Sequence, residues 1–241
     1  MKNSGCSGKP KKILRIFCIV FISMNSILHL LGGIGTVCVA VNAEKYGAMA
    51  VLKDYKWLYK IFVVTAIAVG IYGIKVTVEL IKKKHRSYRN AVKVLIAGSV
   101  VCGVHMLTSE ILRGDSTPVN FRFYFNLLTL IIFILSRNSG LWNQAPDTGT
   151  ESRFDESSAA SGAAMVISGL MVMTVQIWAG PVHTINGFNY ADIWHWQVGL
   201  TGGVLVFSGL FILSRVVIKA LMYGGESRIK AVIMKKFTDD I

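Results

Sequence analysis

Six residues of this chain have the types and placement to do chemistry together. His29 and His105 each fall inside a long apolar run, and Glu110 follows His105 near the end of the same run. His183, Asp192 and His195 fall in one polar segment, PVHTINGFNYADIWHW. Two imidazoles from different helices can ligate haem iron axially. Histidine with a carboxylate suits zinc or another divalent metal. A chain of histidine and glutamate can also relay protons. Against these stands the ordinary reading, in which each histidine hydrogen-bonds a neighbouring helix. The chain has no HExxH and no recognisable metal-site spacing, so the choice rests on where its elements place these side chains.

The elements are read from hydropathy. A helix needs about 20 mostly apolar residues to cross roughly 30 Å of hydrocarbon. Six runs qualify: 16–41, 58–81, 92–112, 121–136, 162–180 and 198–221. All must be helical, because lipid offers no partner for open backbone groups and the runs lack the alternation of a membrane barrel. The expectation is an all-α, polytopic membrane bundle of six transmembrane helices. The fourth run is short and begins with Arg122, which could snorkel to the headgroups.

Charge gives the orientation. With an inside N-terminus, 20 of the 26 Lys and Arg residues fall on inner segments, and Lys45, Lys53, Lys56, Lys60, Arg113 and Arg122 on outer ones. Lys and Arg favour the cytoplasmic side, so both termini are expected there. The net charge of +13 is then mainly a topology signal, and a nucleic-acid partner is not expected. The partners expected are the bilayer itself, anionic headgroups at the basic inner face, and other membrane proteins. Val41-Asn42-Ala43 resembles a leader cleavage site, but the preceding apolar run is much longer than a leader requires, and a retained first helix is favoured. The simplest location is a prokaryotic plasma membrane.

Depth brings the two intramembrane histidines together. His29 lies roughly 21 Å along its helix from Arg15, and His105 roughly 18 Å along its helix from Lys93. The two helices run in the same direction, so both rings should sit in the outer half of the membrane. They are expected to face each other beneath the loop carrying Asp192 and His195, which share a helical face if the sixth helix begins there. His183 is a further candidate in that loop, and Glu110 lies toward the same side.

Small and polar residues recur at helical spacing. The first helix has Asn25, His29, Gly32 and Thr36; the second has Ala66, Gly70, Gly73 and Thr77; the third has Gly98, Cys102, His105 and Ser109. Steps of three and four put each set on one face. Small residues let helix backbones approach and polar ones hydrogen-bond across the seam. Gly32, Gly70, Gly73, Gly98 and, on the sixth helix, Gly202 are the expected packing positions. Tyr55, Trp57, Tyr59, Trp178, Trp194 and Trp196 fall at run ends, where amphipathic rings anchor at headgroup level. Lys75 and Glu79, four apart, should pair locally.

The remaining organisation is simple. Residues 1–15 form a basic tail, 16–136 a four-helix membrane part, 137–161 a polar, flexible cytoplasmic loop, 162–222 a two-helix membrane part and 223–241 a cytoplasmic tail. The final residues from Glu226 have the spacing of a short amphipathic surface helix. No CxxC, nucleophile elbow or phosphate loop occurs, so an enzyme is not the expectation. The leading functional expectation is an outward-facing histidine/carboxylate site for haem or a divalent metal, in an electron-transfer or assembly system. A small-solute or ion transporter and a non-catalytic membrane subunit or scaffold remain open.

Overall fold

In the computed structural model the backbone of residues 8–142, 150–179, 184–185 and 187–239 is described, with the side chains of 13–47, 49–142, 157–177, 187–189 and 192–219. The long helices are α1 (Gly8–Asn42), α2 (Lys56–Ile81), α3 (Ser87–Arg113), α4 (Val119–Ser136) and α5 (Thr150–Met173). After α5 come a short α6 (Val175–Ala179), a two-stranded hairpin of β1 (Thr184–Ile185) and β2 (Phe188–Asn189), a one-turn α7 (Tyr190–Ile193) and the long α8 (His195–Asp239). Gly187 turns the hairpin with φ of 82°, a left-handed conformation that glycine adopts without steric cost.

The fold is an all-α bundle of membrane type. Among the described residues five helices are long and apolar enough to cross a bilayer: Ile13–Lys45, Met49–Ile81, Ser87–Arg113, Val119–Ser139 and His195–Lys219. The fifth apolar run of the sequence departs from that pattern. Its helix ends at Met173, a turn intervenes at Thr174, and the apolar stretch Ser157–Met173 is shorter than the others. Two expectations for polar segments are corrected. The stretch 137–161 is not all loop, because α5 begins at Thr150. Ser157 there donates to the Ile81 carbonyl, and Ala160 is buried in the core, so docking outweighs polar composition. The C-terminal tail is not a separate helix, because the α8 backbone continues unbroken to Asp239.

α1 lies at the centre, packed on α2, α4 and α5, while α3 packs on α2 and α4. α8 touches the rest mainly through α5, and only 11% of its apolar window is buried. Two apolar clusters hold the ends of the bundle. At the Arg15 end, Cys18, Ile19, Ile22, Val76, Leu80, Val94, Leu95 and Phe133 pack together. At the other end the α1–α2 connection folds back, so Ala43, Met49 and Leu52 cover Tyr59 and Phe62. Gly114 closes α3 in the left-handed conformation, with its N–H donating to the Glu110 carbonyl at 2.8 Å.

Glycines set the closest approaches. A Cβ on Gly70 would stand 2.9 Å from the Leu30 backbone nitrogen, and one on Gly73 would overlap Ser26. Gly169 and Gly202 face each other across α5 and α8, where a Cβ on either would come within 2.7 Å of the other's carbonyl oxygen. Hydroxyls in the spans bond back to their own helix: Ser26 to the Ile22 carbonyl, Thr77 to Gly73 and Thr129 to Phe125. Arg15, counted in the sequence as a tail charge, is buried and caps α2 by donating to the Leu80 carbonyl. Lys75 and Glu79 do not pair with each other. Glu79 accepts from Asn90 at 2.9 Å, and Lys75 lies over the Tyr72 ring, so the expected local pair loses to partners on and beyond the helix.

Candidate functional site

Between the two apolar clusters lies a buried polar junction formed by α1, α2, α3 and α4. Its hub is Asn126 of α4, which is fully buried. The Asn126 amide nitrogen donates to the Leu95 carbonyl at 2.8 Å and to Ser99 Oγ at 2.7 Å, both on α3. Its Oδ1 accepts from Asn25 Nδ2 and lies 3.4 Å from His29 Nε2, both on α1. Because Oδ1 can only accept, the His29 proton sits on Nε2. His29 Nδ1 is then the acceptor for Cys102 Sγ of α3 at 3.8 Å. His29 is 1% exposed and carries both neighbours in a neutral state.

His105 belongs to the same junction, one turn further along α3. Its ring stacks on Phe62 at 4.3 Å between centroids and meets Tyr59 edge-on. Tyr59 is buried with its hydroxyl 2.9 Å from Ser109, which corrects its reading as an interfacial anchor: the aromatic tip finds its polar partner inside the bundle. His105 Nδ1 lies 3.2 Å from Arg122 Nη2. Guanidinium can only donate, so Nδ1 accepts and this ring too is neutral, with its proton on Nε2.

Arg122 is the unexpected member. It does not snorkel to a headgroup; it is 4% exposed and turned inward between α1 and α3. The slot is made by Gly32, since a Cβ there would overlap Arg122 Nη1. Gly98 opens the neighbouring approach, where a Cβ would stand 2.7 Å from Asn126 Oδ1 and 2.8 Å from His29 Nε2. One Arg122 nitrogen reaches His105, but Nε and Nη1 meet no hydrogen-bond acceptor among the described residues. Arg122 belongs to the first turn of α4, its backbone about 5 Å along the helix from Val119. The junction also holds a cavity of about 10 Å³, lined by Asn25, Ser26, His29, Gly73 and Asn126 with apolar neighbours; Arg122 does not line it. That is roughly room for one water, and Asn25 Oδ1, otherwise without a partner, faces the cavity.

The other sequence candidates lie apart. Asp192 and His195 pair loosely at 4.0 Å, and both side chains are more than 60% exposed, so they stand outside the buried junction. Glu110 is exposed on α3. His183 lies outside the described residues. Among the described residues no three or more of His, Cys, Asp and Glu gather to hold a metal ion. Beyond the end of α3, outside the spans, the Thr117 N–H donates to Asp115 Oδ1 at 2.9 Å and holds that carboxyl below its usual range, with Arg113 adding to the effect.

Sequence reasoning placed His29, Cys102 and His105 on small-polar faces but missed Arg122 and Asn126. A signal for them exists. Arg122, Asn126, Thr129 and Ser136 recur at helical steps, and all four are buried. The chain is a multi-pass membrane protein by its helices. No family model, curated protein or solved structure matches it.

Proposed function

We propose that this protein, with both termini in the cytoplasm and six crossings, binds a small anion at Arg122 within the membrane and moves it across. The observation that carries the reading is the buried guanidinium, which among the described residues has two nitrogens without acceptors and no carboxylate partner. A charged side chain at membrane depth costs about 3 kcal/mol or more, and such residues mark ion and substrate pathways. The neutral His105, whose Nδ1 accepts from Arg122, keeps its Nε2–H as a further donor beside that charge. Toward the Arg15 end the small cavity is walled by the packed Ile22, Val94 and Leu95, so inward release would require the helices to part there.

A haem or divalent-metal site has less support. A fixed guanidinium beside both imidazoles repels an added cation, and the carboxylates Asp192 and Glu110 are exposed elsewhere. A purely structural role would leave the guanidinium with one neutral partner, His105, against the cost of burying its charge.

Purified protein in proteoliposomes should pass one or more of chloride, bicarbonate, phosphate and acetate, and the transported anion should raise its melting temperature. Arg122→Gln removes a charge-assisted hydrogen-bond donor, so affinity should fall roughly 10- to 100-fold. Arg122→Leu should abolish both responses while the anion-free protein melts no lower than before. Absence of flux and of any melting shift with all four anions would overturn the proposal, as would an Arg122→Leu variant that transports normally.

A further inference from the structure

A second basic site lies at the Arg15 end, between the start of α3 and the end of α4. A groove of about 690 Å³ is lined by Arg89, Lys93 and Arg137, with Val92, Ile134 and Trp142 among its walls. Arg89 and Lys93 are four apart on α3 and so share a face, while Arg137 directly follows α4. All three are exposed, and among the described residues no acidic side chain lines the groove. Glu79, on the helix before, is engaged by Asn90.

The aromatic wall is fixed in advance. Trp142 stacks on Phe133 at 5.5 Å and lies against Tyr88 at 5.2 Å, while its indole N–H donates to Ser136 Oγ at 3.1 Å. Tyr88 in turn donates to the Phe133 carbonyl at 3.0 Å. The neighbouring Leu141 is buried, which seats the turn carrying Trp142. The groove thus presents three cations at its polar rim and an apolar flank, with Ile134 more than half exposed, that continues along the helices toward the bilayer interior. Few ligands need both features. A soluble anion has no use for the apolar flank, and a neutral lipid has none for the three charges.

We propose that this groove binds the headgroup phosphate of an anionic phospholipid, with an acyl chain lying along Val92 and Ile134. The site is independent of Arg122 and lies at the opposite end of the α4 helix from it. It converts the diffuse basic attraction of this face into a defined position.

The test is native mass spectrometry of the full chain released from micelles containing equal phosphatidylglycerol and phosphatidylcholine. The protein should retain phosphatidylglycerol selectively. Each cation near a membrane surface contributes about fivefold, so the triple variant R89Q/K93Q/R137Q should bind it roughly 100-fold more weakly. These side chains are exposed, so the variant's melting temperature and elution profile should match the parent's. A control of equal charge, K53Q/K60Q/K84Q, should retain the lipid. Excess inorganic phosphate should fail to displace it, because the acyl contacts remain. Unchanged retention in the groove variant, equal loss in the control, or complete displacement by phosphate would each overturn the proposal.

Discussion

At the scale of single residues the junction depends on one amide. Asn126 of α4 joins α1 to α3 through four contacts, two made by its amide nitrogen and two by its oxygen. Asn126→Ala would leave Asn25, His29 and Ser99 short of partners in a site too small for more than about one water. Interhelical hydrogen bonds in membranes average about 0.6 kcal/mol each, with a maximum near 1.7. Loss of several should therefore lower unfolding free energy in mixed micelles by roughly 1–3 kcal/mol. A neutral Asn126→Ala would mean the amide is dispensable and the helices are held by apolar packing alone. Much of this junction was readable from the chain, because His29, Gly32, Gly98, Cys102 and His105 keep helical register on two runs. Arg122 and Asn126 were not read, because a charge near a helix end is ordinarily taken as interfacial. Only the inward slot at Gly32 explains why this one turns in.

At the scale of elements, α1 and α2 are held by direct backbone approach. Gly70 faces Leu30 and Gly73 faces Ser26, with no space for a Cβ at either. Gly70→Leu should therefore force the pair apart and lower stability in detergent by roughly 1–3 kcal/mol, the scale of overpacking. Gly203, on α8, has open space where its Cβ would be, and Gly203→Leu should change stability by less than about 0.5 kcal/mol. Equal tolerance at both positions in a denaturant or thermal titration would contradict the packing described. The four runs that became α1 to α4 were legible because apolar length and charge punctuation agree. The first part of α5 was not, because TESRFDESS has the composition of a loop and becomes helical against α1 and α2. The tail was misread for the converse reason: a break at Gly224-Gly225 is suggested by composition, yet the helix runs through it.

At the scale of the whole molecule the account turns on the number of crossings. Five helices meet the length and hydropathy of a span, while the apolar part of α5 is about 26 Å long by helical rise, slightly under the roughly 30 Å of hydrocarbon. α5 pairs with α8 through glycine contacts, and α8 is itself long enough to span, which supports α5 as the sixth crossing. The asymmetric Lys and Arg distribution is the one that the proposed even count predicts. An Arg122 site inside a polytopic bundle stands or falls with this arrangement, and sidedness is the most direct measure of it. Single cysteines are placed at Lys84, in the basic turn before α3, and at Phe188, beside Asn189 in the hairpin, in a chain without its four native cysteines. Three proposed crossings, α3, α4 and α5, separate the two positions, so in intact cells a membrane-impermeant maleimide should label Phe188→Cys and reach Lys84→Cys only after permeabilisation. Labelling of both positions from the same side would contradict the six-crossing bundle and leave α5 outside the membrane.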